Sequence, residues 1–244
     1  MVKNNIKKTY KPSFCIIVPM YNEANNVSMC VKTICNFLKK LDNKCQLLVI
    51  DDGSSDKTPI KLDKLKKKYN NLTLIKHQKN LGYGAANKTG VIFAHKKKYK
   101  YVLYMDADLT QDTKYIFDFL DLMNKNIDFI KATRYALGGG CIGVSKFRKI
   151  ISKVGNFIAS IFLRLPITDY TNGFRAIKTD LLVNFKNEEN GFAYLIEEVN
   201  KVSKSAKSYG EVPYILSVRN NLDSKSKFTY SIDVYLSYLK WLIK

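Results

Sequence analysis

Histidine is the scarcest chemistry-bearing side chain in this 244-residue sequence: there are two, His77 and His95. So few histidines, with no cysteines at ligand spacing, argue against a zinc site or a Ser-His-Asp triad. Both are expected on the surface. The five cysteines are odd in number and form no C-x-x-C pair, which argues against a disulfide scaffold. The thiols are expected to be reduced and mostly buried, in a cytosolic setting. No G-x-x-x-x-G-K-[ST] loop occurs, so a Walker nucleotide site does not fit. Long apolar runs are missing too. Phe14 to Val18 is too short for a signal peptide and meets Pro19, and Ile150 to Ile167 is interrupted by Lys153, Asn156 and Arg164. A membrane-spanning helix needs roughly 20 mostly apolar residues.

Acids are the minority charge, 21 against 41 bases, for a net charge of +20. That excess invites a nucleic-acid reading. The composition argues otherwise: 36 of the bases are lysine and five are arginine, and the lysines are spread along the whole chain. Nucleic-acid readers concentrate arginine, whose planar fork suits phosphates and guanines. No nucleic-acid partner is expected. The scarce arginines, Arg134, Arg148, Arg164, Arg175 and Arg219, are the more informative ones.

What is present is a 46% hydrophobic composition, enough for a core, in a regular alternation. Short apolar runs at 14–18, 46–50, 72–76, 101–105 and 129–133 read as buried strands. Between them lie helical patterns: 27–41, a helix opened by Asp56 and Pro59, 85–94 and 115–123. This implies an α/β fold with a mostly parallel central sheet flanked by helices. The polar clusters fall just after strands: Pro19-Met20-Tyr21-Asn22-Glu23, Asp51-Asp52-Gly53-Ser54, Asn80-Leu81-Gly82-Tyr83-Gly84 and Asp106-Ala107-Asp108. Ligands of open α/β sheets bind beyond the carboxyl ends of the strands, so the clusters converge on one crevice. Asp106 and Asp108 can hold a hard divalent cation. Asp51 and Asp52 can accept hydrogen bonds from a base and ribose, or simply make a turn. Gly82-x-Gly84 alone is weak evidence for a phosphate loop, since a tight turn opening a helix needs the same glycines.

These motifs, taken in order, resemble the inverting glycosyltransferases of family 2, with a GT-A-type nucleotide-sugar-binding fold. Arg134-Tyr135 with Gly138-Gly139-Gly140, then Ser145, Arg148, Ser152 and Asn156, then Asp169-x-Thr171-Asn172-Gly173-Phe174-Arg175, resemble the dolichyl-phosphate mannosyltransferase branch. The resemblance implies donor-nucleotide contacts from Pro19, Tyr21, Glu23, Asp51, Asp52 and Ala107. It implies catalytic roles for Asp106, Asp108 and Arg134, and a metal, Mg2+ or Mn2+, on Asp106 and Asp108. The branch's third metal ligand is a Gln two positions after the second Asp; Thr110 stands there and Gln111 is one residue late, so Gln111 or Thr110 would assist the metal, or water would replace that ligand. Phosphates would be held by Arg134, Ser145, Arg148, Arg219 and Lys225, with Lys227 competing for the last place. Arg175 would grip phosphate or brace the floor of the site.

The implied reaction moves a hexosyl group from a nucleotide sugar, guanosine diphosphate mannose favoured and uridine diphosphate sugars open, to a polyprenyl or dolichyl phosphate. Such an acceptor requires a membrane. Residues 129–168 contain no Asp or Glu, and Ile150, Ile151, Val154, Phe157, Ile158, Ile161, Phe162 and Leu165 recur there at helical spacing. A basic amphipathic helix over about 145–165 suits the headgroup boundary, or packs on its own core. The expected layout is a flexible basic tail (1–12), a glycosyltransferase domain (13–228) and a C-terminal aromatic amphipathic helix (229–244). The protein would sit peripherally on the cytoplasmic face of a membrane, with a membrane-protein partner conceivable. Two alternatives stand beside this reading. One is transfer to a glycan or glycolipid hydroxyl, with Asp106, Glu197 or Glu198 as base, the last two being otherwise a solvated helix face. The other is a non-catalytic anion-binding protein.

Overall fold

The computed structural model describes residues 10–184, 186–217 and 232–244. The alternation holds along the first half. Strand β1 is Phe14–Met20, followed by helix α1 Val27–Leu38, β2 Cys45–Asp51, α2 Thr58–Lys68, β3 Leu72–Lys76, α3 Tyr83–Lys96, β4 Tyr101–Tyr104, α4 Ile116–Asn124 and β5 Phe129–Thr133. The second half is less regular: β6 Gly140–Cys141, α5 Lys146–Leu163, β7 Arg175–Lys178, α6 Thr179–Val183, α7 Tyr194–Ser203, β8 Tyr209–Pro213, β9 Ile215–Leu216 and α8 Ile232–Ile243. Seven strands form one sheet in the order β3-β2-β1-β4-β7-β5-β8. Only β7 runs against its neighbours; every other pairing in the sheet is parallel. Strands β6 and β9 pair separately.

Continuous apolar strands need cover on both faces, and they have it. On one side α1 and α4 pack Val31, Ile34, Ile116 and Phe119 onto Ile16, Val18 and Leu103. On the other, α3, α6 and α7 pack Ala86, Leu182 and Val199 onto Ile17, Ile50 and Val102. Each such fully buried side chain contributes about 1.5–3 kcal/mol relative to exposure. Asp56 works one residue earlier than a formal cap of α2: its Oδ1 accepts the Thr58 N–H at 2.8 Å, Lys57 occupies the N-cap position, and Pro59 lies in the first turn. All five cysteines are free, and three are buried.

Helix α5 lies within the expected 145–165 span, with Ser145 at its N-cap and left-handed Arg164 at its end. Its orientation is the unusual feature. Phe147, Ile150, Val154, Phe157 and Ile161 are all exposed, Phe147 at 72% and Phe157 at 66%. The side turned to the protein carries Asn156 and Ala159. The expected C-terminal helix is α8, whose Trp241 is buried while Leu236 and Ile243 are exposed. Most of the expected basic tail, residues 1–9, lies outside the described residues, as do Arg219, Ser224, Lys225 and Lys227. Among the described residues, no helix is long and apolar enough to cross a membrane.

Candidate active site

Parallel strands β1, β2, β3 and β4 deliver their clusters to one edge of the sheet, as expected. The segment after β1 is knitted to the one after β2. Asn22, in a left-handed conformation at φ 51, accepts the Ser55 N–H at 2.9 Å through Oδ1, and its own N–H donates to Ser54 Oγ at 2.9 Å. The Glu23 N–H donates to Thr58 Oγ1 at 2.8 Å, and the Glu23 carboxylate accepts from Asn26 Nδ2 at 2.7 Å. Asp51 accepts the Ser54 N–H at 3.1 Å.

Asp52 departs from the expectation of a nucleotide contact. Its carboxylate is buried and already accepts the Leu81 N–H at 3.0 Å, the Gly82 N–H at 2.8 Å and His77 Nδ1 at 2.6 Å. A carboxylate with both oxygens so engaged holds a loop. His77 was expected on the surface. It is instead nearly buried, because its two ring nitrogens meet Asp52 and Thr89. His95 is on the surface.

The Gly82-x-Gly84 pair turns out to be a packing device. A Cβ on Gly84 would stand 2.6 Å from the Glu189 carbonyl oxygen, and the Gly84 N–H donates to the Asn190 carbonyl at 2.6 Å. The glycines thus admit the 189–191 segment rather than a phosphate.

After β4, Asp108 accepts the Thr110 N–H and hydroxyl at 3.1 and 2.9 Å. Gln111, expected as a metal ligand, is buried and clasps Asp106: its amide nitrogen donates to Asp106 Oδ2 at 2.7 Å, and its amide oxygen accepts the Asp106 N–H at 2.9 Å. Through these two bonds Gln111 orients Asp106. Ala107 is buried between the two aspartates. Among the described residues, no cluster of three or more His, Cys, Asp or Glu side chains forms a metal cage. The pair nonetheless suits a hard cation whose shell is completed by diphosphate oxygens. Gly173 keeps the approach open, since a Cβ there would stand 3.4 and 3.6 Å from the Asp106 carboxylate oxygens and 3.2 Å from Tyr83 Oη.

The floor is built from charges that sequence reasoning only partly found. Arg175 is sealed against Glu198, which also accepts hydrogen bonds from the Tyr104 and Tyr194 hydroxyls at 2.7 and 2.6 Å. The Arg175 guanidinium lies 4.0 Å over the Tyr104 ring and donates to the Gly173 carbonyl at 2.8 Å. Of its two expected roles, Arg175 therefore performs the bracing one. Glu197 is likewise fully buried, accepting the Glu189 N–H at 2.9 Å and Lys201 Nζ at 2.7 Å. Neither glutamate is a solvated helix face, and neither reaches the crevice as a base. Burial pushes the Tyr83 hydroxyl up to about 12.

Arg134 was expected to grip phosphate with its fork. One edge of that fork holds Asp169: Nε and Nη2 donate to its two carboxylate oxygens at 2.7 and 2.9 Å, and the Arg134 N–H adds a third bond at 3.1 Å. Burial alone would raise the Asp169 carboxyl, but the hydrogen bonds and charge of Arg134 outweigh it and hold the group below the usual carboxylate range. Arg134 still borders a cavity of about 260 Å³, shared with Tyr135, Gly140, Cys141, Lys149 and Lys153. Lys149 and Lys153, on successive turns of α5, are the basic residues the motif reading did not single out. Ser145 caps α5, accepting the Arg148 N–H at 3.4 Å, and Arg148 is exposed.

Beneath these groups Lys131 is fully buried and donates to the Asn172 carbonyl at 2.5 Å. Burial, with the nearby charge of Arg175, pulls it down to about 7.

The model of Glycosyl transferase family 2 matches residues 15–185. The chain belongs to that family. It is 30% identical over 232 residues, 93% of its length, to the dolichol-phosphate mannosyltransferase of Pyrococcus furiosus, and spans 63% of that protein. It is 25% identical over 233 residues, 94% of its length, to the polyprenol monophosphomannose synthase of Mycolicibacterium smegmatis, covering 86% of it. Among solved structures it resembles the glucosyl-3-phosphoglycerate synthase of Mycobacterium tuberculosis in complex with Mn2+ and uridine diphosphate. The TM-score is 0.65 over 95% of this chain and 80% of that one, at 16% identity. At that identity the likeness speaks to the fold, the GT-A type the motifs implied.

Proposed function

We propose that this family 2 glycosyltransferase moves a hexosyl group, mannose favoured, from a nucleotide sugar to a polyprenyl phosphate at a membrane surface. The observation that carries the acceptor is α5. Its apolar stripe faces outward, and the same helix supplies Lys149 and Lys153 to the cavity beside Arg134. An apolar face beside a basic pocket matches the two ends of a lipid phosphate. The relatives named for dolichol-phosphate and polyprenol-phosphate mannose synthesis support the same class.

The donor would lie along the edge formed by Pro19, Tyr21, Glu23 and Asp51, with its diphosphate toward Asp106 and Asp108. A divalent cation, when bound there, neutralises the charge that develops on the leaving diphosphate. The bond from the anomeric carbon to the diphosphate oxygen breaks as a bond to the acceptor phosphate oxygen forms on the opposite face, which inverts the centre. The sugar passes through an oxocarbenium-like state. A phosphate monoester has a second pKa of about 6 and arrives as an anion at neutral pH, so no general base is needed. That suits a site in which Glu197 and Glu198 are buried and fully engaged. Transfer to a hydroxyl would leave Asp106, clasped by Gln111, as its base.

The test is a panel of nucleotide sugars offered with polyprenyl phosphate or the neutral polyprenol, in Mg2+ or Mn2+, beside Asp108→Ala. We expect transfer to the phosphate alone and a loss of at least about 100-fold in Asp108→Ala. Equal use of the neutral alcohol would overturn the acceptor, and full turnover by the variant would overturn the role of Asp108.

A further inference from the structure

We infer that His77 is a positioning residue for the donor pocket, acting through Asp52. The inference rests on the proposed use of the strand-end edge as a nucleotide site.

His77 follows β3 directly and is tied to both aspartates of the neighbouring β2 end. Its backbone N–H donates to the Asp51 carbonyl at 2.9 Å. Its Nδ1 stands 2.6 Å from Asp52 Oδ1. A carboxylate oxygen only accepts, so Nδ1 carries the hydrogen and donates. The other nitrogen, Nε2, lies 2.9 Å from Thr89 Oγ1 on α3. One imidazole therefore joins the tips of β2 and β3 to the helix that begins at Tyr83. The ring is 9% exposed and the Asp52 side chain 5%, so these bonds are made largely out of water.

The consequence concerns where Asp52 points. Each Asp52 oxygen holds one backbone N–H of the 81–82 segment, Leu81 on Oδ1 and Gly82 on Oδ2. The same segment is held on its far side, where the Gly84 and Ala85 N–H groups donate to the Asn190 carbonyl. Without Nδ1, the carboxylate loses its shortest donor and the rotation that keeps both oxygens on the loop. Asp51, whose backbone pairs with His77, shares the same turn. His77 thus fixes the wall of the pocket without touching the nucleotide.

His77 also separates cleanly by substitution. An asparagine places its amide nitrogen near the Nδ1 position, and a glutamine places its own near Nε2. His77→Asn keeps the arm to Asp52, His77→Gln keeps only the arm to Thr89, and His77→Ala keeps neither. Two readouts are paired: equilibrium binding of guanosine and uridine diphosphates in Mn2+, and amide hydrogen exchange at Leu81 and Gly82. A charge-assisted hydrogen bond lost from a buried carboxylate corresponds to roughly tenfold or more. We expect His77→Ala and His77→Gln to weaken nucleotide binding about tenfold and to speed exchange at Leu81 and Gly82. His77→Asn should stay within about threefold of the parent in binding. Far-UV circular dichroism identifies the variants that fold.

Parent-like binding by His77→Ala, or rescue by glutamine as good as by asparagine, would overturn the proposal. So would unchanged exchange at both amides. If the parent protein binds neither nucleotide, the donor-pocket reading falls and the proposal with it. If it binds nucleotide but transfers no sugar, only the acceptor reading falls.

Discussion

Helices α1 and α5 carry the same apolar rhythm and face opposite ways. In α1, Val27, Cys30, Val31, Ile34, Phe37 and Leu38 are all buried. In α5, Phe147, Ile150, Val154, Phe157 and Ile161 repeat the same three-and-four spacing and are all exposed. The difference lies in what each helix has behind it. Helix α1 lies over the apolar strands of the sheet. Helix α5 lies over polar loops, where Asn156 accepts the Tyr170 N–H and donates to Thr171 Oγ1, and Ser152 accepts from the Tyr135 hydroxyl. Periodicity defines a face, but the chemistry of the neighbour decides whether that face turns in. The proposed membrane contact rests on this outward stripe, flanked by Lys146, Lys149, Lys153 and Arg164.

The sharpest way to break this comparison is to make one substitution on both helices. Ile34→Asp places an unpaired carboxylate in the core, and we expect it to prevent folding, a loss of about 4 kcal/mol or more. Ile150→Asp adds a charge to a solvent-facing position, and its stability should stay within about 0.5 kcal/mol of the parent. Urea denaturation reads both. Flotation with vesicles carrying acidic lipids should fall for Ile150→Asp, measured against the parent, although both are folded. A large destabilisation by Ile150→Asp would mean that the outward face of α5 is a packed surface.

Lysines divide in the same way, and the next effect is smaller. The lysines of α5 are exposed, whereas Lys131 on β5 is fully buried, pulled down to about 7 by burial and by Arg175. Its ordinary value in an unfolded chain is about 10.4. Between those values the unfolded state binds the proton and the folded state releases it, so stability rises with pH. The contribution is up to about 1.4 kcal/mol per pH unit. Unfolded thiols ionise near 8.5 and oppose it, because burial raises the folded thiols well above that. Comparing the parent with Lys131→Met between pH 7 and 8.5 cancels the thiols. The parent should gain stability relative to the variant over that window, and parallel pH profiles would refute the assignment.

This inward and outward division also marks how far the sequence could be read. The five strands of the first half were legible because each is a short apolar run ended by polar residues. Strand β7 was not, since Arg175-Ala176-Ile177-Lys178 begins and ends in charge, with Arg175 paired to Glu198 and Lys178 to Asp128. The convergence of Asp51, Asp106 and Asp108 followed from parallel topology alone. The partners of the charged groups did not, because they come from remote segments. Asp169 takes the fork of Arg134, Glu198 takes Arg175, and the 81–82 segment and His77 take Asp52. Each is a long-range pairing with no local spacing to betray it. Scarcity of arginine pointed to residues that matter, but not to the carboxylates that Arg134 and Arg175 hold. A protein rich in lysine uses arginine where a planar fork is needed, and a buried carboxylate needs it as much as a phosphate does.

The smallest effect concerns single surface charges, and it tests whether outward facing alone suffices. Lys32 on α1 and Lys146 on α5 are both exposed lysines on amphipathic helices. If acidic lipid were drawn by net charge alone, either loss would weaken vesicle binding equally. If α5 is the contacting surface, only charges within a Debye length of it count, about 8 Å at physiological salt. Lys146→Gln should then weaken partition to acidic vesicles several-fold at low salt, since one basic residue near the surface is worth about 1 kcal/mol. The loss should fade as salt rises. Lys32→Gln should leave partition unchanged at any salt. Phe157→Ser completes the set, because it removes apolar contact without charge and its loss should persist in high salt. Equal losses from Lys32→Gln and Lys146→Gln would assign the attraction to the diffuse +20 charge of the whole chain. An unequal pair, with a salt-resistant deficit in Phe157→Ser, would assign it to the outward apolar face of α5.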